Sequence, residues 1–359
     1  RGTQRRRRLS LRVGVLTGGG DAPGLNAAIC GLGRRLRAAG VKLIGFRDGW
    51  RGIIEDLTTD LDDEDFQQLL VHGGSLLGSS GVNPYRQPQR DVPRTKATFA
   101  RHRLDALVVI GGEGTLGAAD RLHREEQLPM VGVPKTIDND LEGTDFTFGF
   151  FSAVEVATRA MDDLRSTAES HSRVMVVECM GRHAGWITAY AGVAAAAEAI
   201  LVPERPAHVE ELCANLEKVR AAGGRAAIVA VAEGTRVHED GKCLSSDARD
   251  EFGCYLTGGV AELVAQKVQQ RLSWEARHLV LGHLQRAGKP IAFDRIFALR
   301  LGARAARLVL EQRFGYMAGL RNGEMVDVPL HQAVAQRKTL SGQFLDRYES
   351  FFLPISSPA

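Results

Sequence analysis

No apolar run in this 359-residue chain approaches the ~20 residues a membrane-spanning helix needs, so such a helix is excluded. Cysteine is scarce. The five present (Cys30, Cys179, Cys213, Cys243 and Cys254) form no C-x-x-C pair, and their odd number argues against a disulfide framework. Reduced thiols in a cytoplasmic protein are expected. The G-x-G-x-x-G spacing of a dinucleotide fold is missing, and so is the Gly-Lys-Ser/Thr ending of a P-loop. A dehydrogenase is therefore disfavoured. Internal repeats and long flexible linkers are also lacking.

A real excess of one charge is lacking too. The formal net charge is +3, but Arg1 and Arg5 to Arg8 supply five positive charges in a stretch without acids. Taking those five from the 46 lysines and arginines leaves 41 basic residues against 43 acidic ones. A nucleic-acid surface is not indicated. Residues 1–10 read as a disordered leader or an added remnant, with a nucleic-acid or membrane arm as the alternative. Hydrophobic content of 44% and charged content of 25% are those of a soluble globular protein, and the length suits two domains of roughly 150 residues.

Apolar β-branched runs alternate with amphipathic stretches almost from end to end. Residues 11–17, 41–46, 105–110 and 130–133 read as strands buried on both faces, and 25–38, 116–124 and 152–167 carry helical periodicity. Strand patterns resume at 173–177, 199–202, 225–232 and 277–281. This alternation predicts α/β architecture: parallel sheets with helices on both sides. Ligands of such sheets bind beyond the carboxyl ends of the strands.

Glycine-rich turns fall at those ends. Gly18-Gly-Gly-Asp-Ala-Pro-Gly24 follows the first strand and opens a helix; it reads equally as a nucleotide loop or as a tight turn capped by Asp21. Gly111-Gly-Glu-Gly-Thr115 repeats the arrangement with an acid among the glycines. An acid there suits phosphate only through a cation, which points Glu113 at Mg2+. Then comes Pro134-Lys-Thr-Ile-Asp-Asn-Asp140, with two carboxylates two residues apart beside a threonine. Glycines that let N–H groups approach phosphate, and carboxylates that hold Mg2+ and take a hydroxyl proton, are the parts of a phosphoryl transfer site. The bland alternative is helix capping by Asp138 and Asp140. Arg173, Arg182, Arg277 and Arg286 recur near strand ends, where guanidinium groups suit phosphate esters but also surface ion pairs. His171 and His183 have no metal-ligand spacing.

Taken in order, Thr17–Asn26, Gly111–Thr115, Pro134–Asp140, Met180-Gly-Arg182 and Leu281-Gly-His-Leu-Gln-Arg286 resemble the motifs of the 6-phosphofructokinases, over about residues 11–340. The resemblance implies two Rossmann-like three-layer domains with mainly parallel sheets. One would bind nucleotide phosphates (11–149 plus about 285–345), the other sugar phosphate (150–284). It implies phosphorylation of fructose 6-phosphate at its 1-hydroxyl, a step of glycolysis. It also implies a cytoplasmic homo-oligomer, dimer or tetramer, with no nucleic-acid or membrane partner.

Roles carry over residue by residue. Asp138 resembles the base that takes the 1-hydroxyl proton, with Thr136 beside it. Glu113 stands where the family has a magnesium-binding aspartate, and Asp140 resembles the second carboxylate. Gly19, Gly112, Gly114 and Thr115 resemble the nucleotide-phosphate cradle. Arg182 resembles a residue near the transferring group, with Met180 and Gly181 lining the sugar site. Glu233, His283 and Arg286 resemble sugar-phosphate ligands, and Arg173 and Arg277 resemble arginines that reach substrate across a subunit interface. Trp50 stands near an aromatic on the adenine side, with core packing as an equal reading.

Three positions bear on donor and rate. Gly114 resembles the ATP-using type, because an aspartate there crowds the α-phosphate in pyrophosphate enzymes. Lys135, which also touches the substrate-phosphate region, resembles the pyrophosphate type. Gly114 decides the expectation for Mg-ATP, because a carboxylate excludes ATP whereas a lysine only adds attraction. Gly81 occupies a donor-phosphate position where the family has an arginine. Its loss motivates a second alternative besides pyrophosphate: a weakly active or regulatory sugar-phosphate-binding homologue.

Overall fold

The computed structural model describes residues 11–61, 66–244 and 259–352. The leader expected at 1–10 and Cys254 lie outside the described residues. In chain order the strands are β1 (Arg12–Thr17), β2 (Lys42–Phe46), β3 (Thr58–Asp60), β4 (Ala106–Gly111), β5 (Met130–Pro134), β6 (Val174–Cys179) and β7 (Ala199–Leu201). They continue with β8 (Ala207–His208), β9 (Ala227–Ala232), β10 (Val237–Glu239), β11 (Lys242–Cys243), β12 (Ala276–Val280), β13 (Tyr316–Arg321) and β14 (Glu324–Pro329). By its internal contacts the chain divides into two units. The first holds the described residues up to Thr136, Leu141–Gly149 and Arg286–Arg337. The second holds Ile137–Asp140, Phe150–Gln285 and the described residues from Lys338 onward.

The first unit is built on a seven-stranded sheet in the order β14-β13-β5-β4-β1-β2-β3. Its five central strands are parallel, and β3 and β14 run antiparallel at the edges. Alternate residues of each strand face opposite sides, and both sides are apolar. Val13, Val15, Val108 and Ile110 pack with helices Leu25–Ala38 and Ala292–Leu310. Leu16, Leu107 and Val109 pack on the other side with residues of helices Pro88–His102 and Glu113–Glu126. Three layers result. Helices Leu25–Ala38 and Ala292–Leu310 meet so closely that a Cβ at Gly31 would lie 2.1 Å from the Leu299 carbonyl oxygen, and one at Gly302 equally close to that of Ala28.

The second unit carries a four-stranded parallel sheet, β12-β6-β9-β7, and a small sheet, β11-β10-β8. Val174, Val176, Val229 and Val231 share a core with residues of helices Val209–Ala221 and Val260–Leu272. Helices Phe150–His171 and Trp186–Ala194 also pack on the β6 and β9 strands. Both large sheets are therefore mainly parallel and the class is α/β.

Several expectations need correction. Helix Glu113–Glu126 begins three residues before the expected 116, with Gly112 as its N-cap, so the glycine turn is the first turn of the helix. Asp21 does not cap the first helix; Gly24, in the left-handed region at φ 107°, stands there without a side-chain cap. Strand β12 is an exposed edge beyond Ala276.

Candidate active site

In the first unit the glycine turn after β1 is stitched to its neighbours by main-chain bonds. Gly18 N donates to the Ile110 carbonyl (2.9 Å) and Gly19 N to that of Ser80 (2.9 Å). Gly19 adopts φ 82°, which glycine tolerates without cost. Ser80 Oγ donates to the Asp48 carbonyl (2.6 Å), and Ser79 Oγ to that of Gly19. These bonds bring the loop that carries Gly81 to the cradle. Gly111 is tight against Thr115, since a Cβ there would lie 2.4 Å from the threonine side chain. Lys135 N donates to Gly111 O (3.0 Å), continuing the β4–β5 register. The Lys135 ammonium, 3% exposed, donates to the Gly20 carbonyl. Thr136 is tied by its own carbonyl, which accepts from Thr147 Oγ1 (2.6 Å).

Arg286 and Trp50 both contact the strand-end turns of this unit. Arg286 lies over the glycine turn: Nη1 donates to the Asp21 carbonyl (3.0 Å), and a Cβ at Gly20 would come within 2.8 Å of it. Trp50 is fully buried and its indole N–H donates to the Thr115 carbonyl (3.3 Å), so core packing is the reading that holds. Beside the first turn of helix Glu113–Glu126 lies a hollow of about 280 Å3 lined by Asn83, Tyr85, Gly114, Gly117, Asp120 and Arg121, among others. Arg121 stacks on the Tyr85 ring, 3.6 Å from its centre, and Cβ atoms at Gly114 or Gly117 would meet nothing within 4 Å.

In the second unit Asp138 and Asp140 flank Asn139, whose φ of 53° puts a non-glycine residue in the left-handed region. Such strain persists only where surroundings hold it. Asn139 is fully buried, its Oδ1 accepts from Lys338 Nζ (3.0 Å), and Lys338 N donates to the Asp140 carbonyl (3.0 Å). Asp138 is 7% exposed. The Met180–Arg182 turn lies past the end of β6. Gly181 N (3.2 Å) and Arg182 N (2.9 Å) both donate to Glu233 Oε1, at the end of β9. Arg182 itself is left-handed, at φ 50°. Burial pushes the Glu233 carboxyl up from its usual range; the two amides oppose that shift and the nearby Asp138 charge reinforces it. His283 sits in the short helix Gly282–Arg286, after β12.

Arg173 and Arg277 are not brought to that end of the sheet. Both pair with Glu275 (3.2 and 2.7 Å) at the amino ends of β6 and β12. That is a strand length away from Arg182 and Glu233, roughly 16 Å at 3.3 Å per residue. Three further residues support the turns without having been assigned a role from the sequence. Lys338 holds Asn139, Gln285 accepts from Met180 N, and Glu178, 2% exposed, accepts from Ala261 N. Only the Gln285 position within a glycine-flanked motif offered a hint.

Among the described residues no group of three or more His, Cys, Asp or Glu side chains converges as a metal cage. Magnesium that keeps several waters and shares phosphate oxygens needs only one or two carboxylates, and Glu113 and Asp140 are hard oxygen donors of that kind. Glu113, in the first helical turn, has Arg337 3.7 Å from its carboxylate.

This fold is α/β, the architecture whose ligands bind beyond the carboxyl ends of parallel strands. The family model described as Phosphofructokinase matches residues 12–309. The chain is 46% identical over 343 residues to the pyrophosphate–fructose 6-phosphate 1-phosphotransferase of Amycolatopsis methanolica, covering 95% of this chain and all of the relative. It is equally 46% identical over 332 residues to ATP-dependent 6-phosphofructokinase 3 of Streptomyces coelicolor, covering 92% of this chain and 96% of the relative. Among solved structures, Pichia pastoris phosphofructokinase in the T-state superposes with a TM-score of 0.80 at 33% identity, over 91% of this chain and 38% of that longer one. The chain belongs to the phosphofructokinase family.

Proposed function

We propose that this protein transfers the γ-phosphoryl group of Mg-ATP to the 1-hydroxyl of fructose 6-phosphate. The observation that carries the choice of donor is the open space at Gly114. A Cβ at Gly114 would meet nothing within 4 Å, and the adjoining hollow offers room that a nucleoside needs and pyrophosphate does not. Relatives named for either donor are equally identical to the chain, so overall identity does not choose. Lys135 favours the pyrophosphate reading, but its ammonium is already committed to the Gly20 carbonyl.

In this reading Gly112, Gly114 and Thr115 cradle the donor phosphates with main-chain N–H groups at a helix amino terminus, and Gly19, whose own N–H is bonded to Ser80, lines the cradle without a Cβ to crowd it. Glu113 and Asp140 would hold Mg2+, which supplies charge neutralisation at the phosphate oxygens. Asp138 accepts the proton of the 1-hydroxyl as its oxygen bonds to the γ-phosphorus. The bond from that phosphorus to the β–γ bridging oxygen breaks, and ADP leaves with the electron pair. Arg182 balances charge on the phosphoryl group in flight. Glu233 uses Oε1 to fix the turn, which leaves Oε2 for a sugar hydroxyl. His283 and Arg286 take the sugar phosphate, with Thr136, Met180 and Gly181 lining the site.

Asp138→Asn tests the assignment. The amide cannot take the proton, so kcat should fall by roughly 10²–10⁴-fold, while fructose 6-phosphate binding, followed by calorimetry, stays within about threefold on the same grounds. Undiminished turnover would remove Asp138 as the base.

The homo-oligomer belongs to the same proposal. Arg173 and Arg277 stand at the far end of their own sheet, where a second copy is what would bring them to substrate. Further along, at its carboxyl end, β12 exposes Leu279 and Val280 (37% and 49%), and an apolar edge left unpaired among the described residues invites pairing with another chain.

A further inference from the structure

We propose that Gln285 is a positioning residue for this reaction: its carboxamide locks the Met180–Arg182 turn to the Gly282–Arg286 turn, fixing Arg182 and His283 as one unit. The inference rests on the sugar-phosphate role proposed above for those two turns. Gln285 is fully buried, an expensive place for an amide unless both its ends are bonded. Both are. Oε1 accepts from Met180 N (3.3 Å), and Nε2 donates to the Gly282 carbonyl (3.2 Å).

The Met180–Arg182 turn needs such a lock. Gly181 has φ 146° and Arg182 φ 50°, conformations that most residues leave when unsupported. A Cβ on Gly234 would strike the Arg182 carbonyl oxygen at 1.7 Å, so the turn lies hard against that backbone. Glu233 holds the second and third amides of the turn, and Gln285 holds the first. Leu281 N donates to the Glu178 carbonyl (3.1 Å), fixing the second turn from behind. Glu233 keeps Oε2 for a substrate hydroxyl, whereas Gln285 is fully buried with both ends of its amide bonded and acts through the turns.

The test uses two variants of the full chain. Gln285→Met keeps the length and loses both bonds. It should lower kcat/KM for fructose 6-phosphate by about 10- to 100-fold, the cost of a slightly misplaced site, and leave the KM for ATP within about twofold as a site of separate contacts would. Gln285→Glu is the rescue. Protonated, its carbonyl oxygen accepts from Met180 N and its hydroxyl donates to Gly282 O; ionised, it sets an anion against that carbonyl. The charged and titratable neighbours on the two turns and the strands behind them are Glu178, Arg182, Glu233, His283 and Arg286. Relative to wild type, this variant should be near normal at about pH 6 and lose activity towards about pH 8, because burial raises a carboxyl's pKa. A flat ratio across pH would overturn the proposal, as would wild-type kcat/KM in folded Gln285→Met, or equal losses for both substrates. In each of those cases wild-type turnover leaves the functional reading standing. A wild-type protein that neither turns over nor binds fructose 6-phosphate would overturn both.

Discussion

Gly81 shows what a single position decides. An ideal Cβ there meets nothing within 4 Å, and its φ lies outside the left-handed region, so the fold does not require glycine. The serines before it tie the loop to Gly19 and Asp48, beside the turn proposed to hold the donor phosphates, so a long cation at this position is expected to reach them. Gly81→Arg should therefore fold normally and raise kcat by about tenfold or more, part of what a phosphate-directed arginine supplies. Saturating steady-state rates check this; an unchanged kcat would mean that the missing charge is supplied elsewhere. Residues of this sort were legible because glycines and carboxylates cluster in sequence. Lys338 and Glu178 were not, because each meets its partner about 200 and 80 positions away in the chain, as a part-buried cation on Asn139 and a buried anion on Ala261.

At the scale of elements, strands β1, β4, β6 and β9 were readable because burial on both faces makes them continuous apolar runs. The β13–β14 pair was passed over, since its outer strand is only partly buried and has no such run. The start of helix Glu113–Glu126 was misplaced for another reason. Glycines read as loop, yet Gly112 in extended conformation caps a helix whose first turn is acidic at Glu113, which favours the positive end of the dipole. A different carboxylate, Glu204, fastens two elements of the second unit. It accepts from Gly185 N (3.0 Å), before helix Trp186–Ala194, and from Leu340 N (3.0 Å). Burial raises its pKa above the usual value of 4.5, against the pull of those amides. A raised folded pKa means that the native state holds the proton more tightly than the unfolded one. The associated stability is complete below the unfolded value of 4.5 and is lost as pH rises through the folded value. Glu204→Gln keeps an acceptor and removes the charge, so its unfolding midpoint should gain on wild type as pH rises above 4.5. Midpoints measured side by side across that range check the sign, and a constant difference would contradict it.

At the scale of the molecule, the chain passes between its two units at Thr136/Ile137, Asp140/Leu141, Gly149/Phe150, Gln285/Arg286 and Arg337/Lys338. A return of the chain to the first domain near residue 285 was expected from the resemblance. The excursion of 137–140 was not, because four residues carry no periodicity and their allegiance is set by packing alone. The placement of Arg173 and Arg277 at the far end of the second unit's sheet was legible, since both open strand patterns in the sequence whereas ligands of parallel sheets bind beyond the carboxyl ends.

The central claim is that the uncrowded Gly114 governs the donor. Initial rates of fructose 1,6-bisphosphate formation, measured on the wild-type protein with fructose 6-phosphate and Mg2+ and with ATP or pyrophosphate in parallel, test it most directly. The account predicts a kcat/KM for ATP at least about tenfold above that for pyrophosphate, the factor that a difference of roughly 1.4 kcal/mol in transition-state binding gives. Product formed mainly from pyrophosphate would contradict it and make Lys135 the residue that decides.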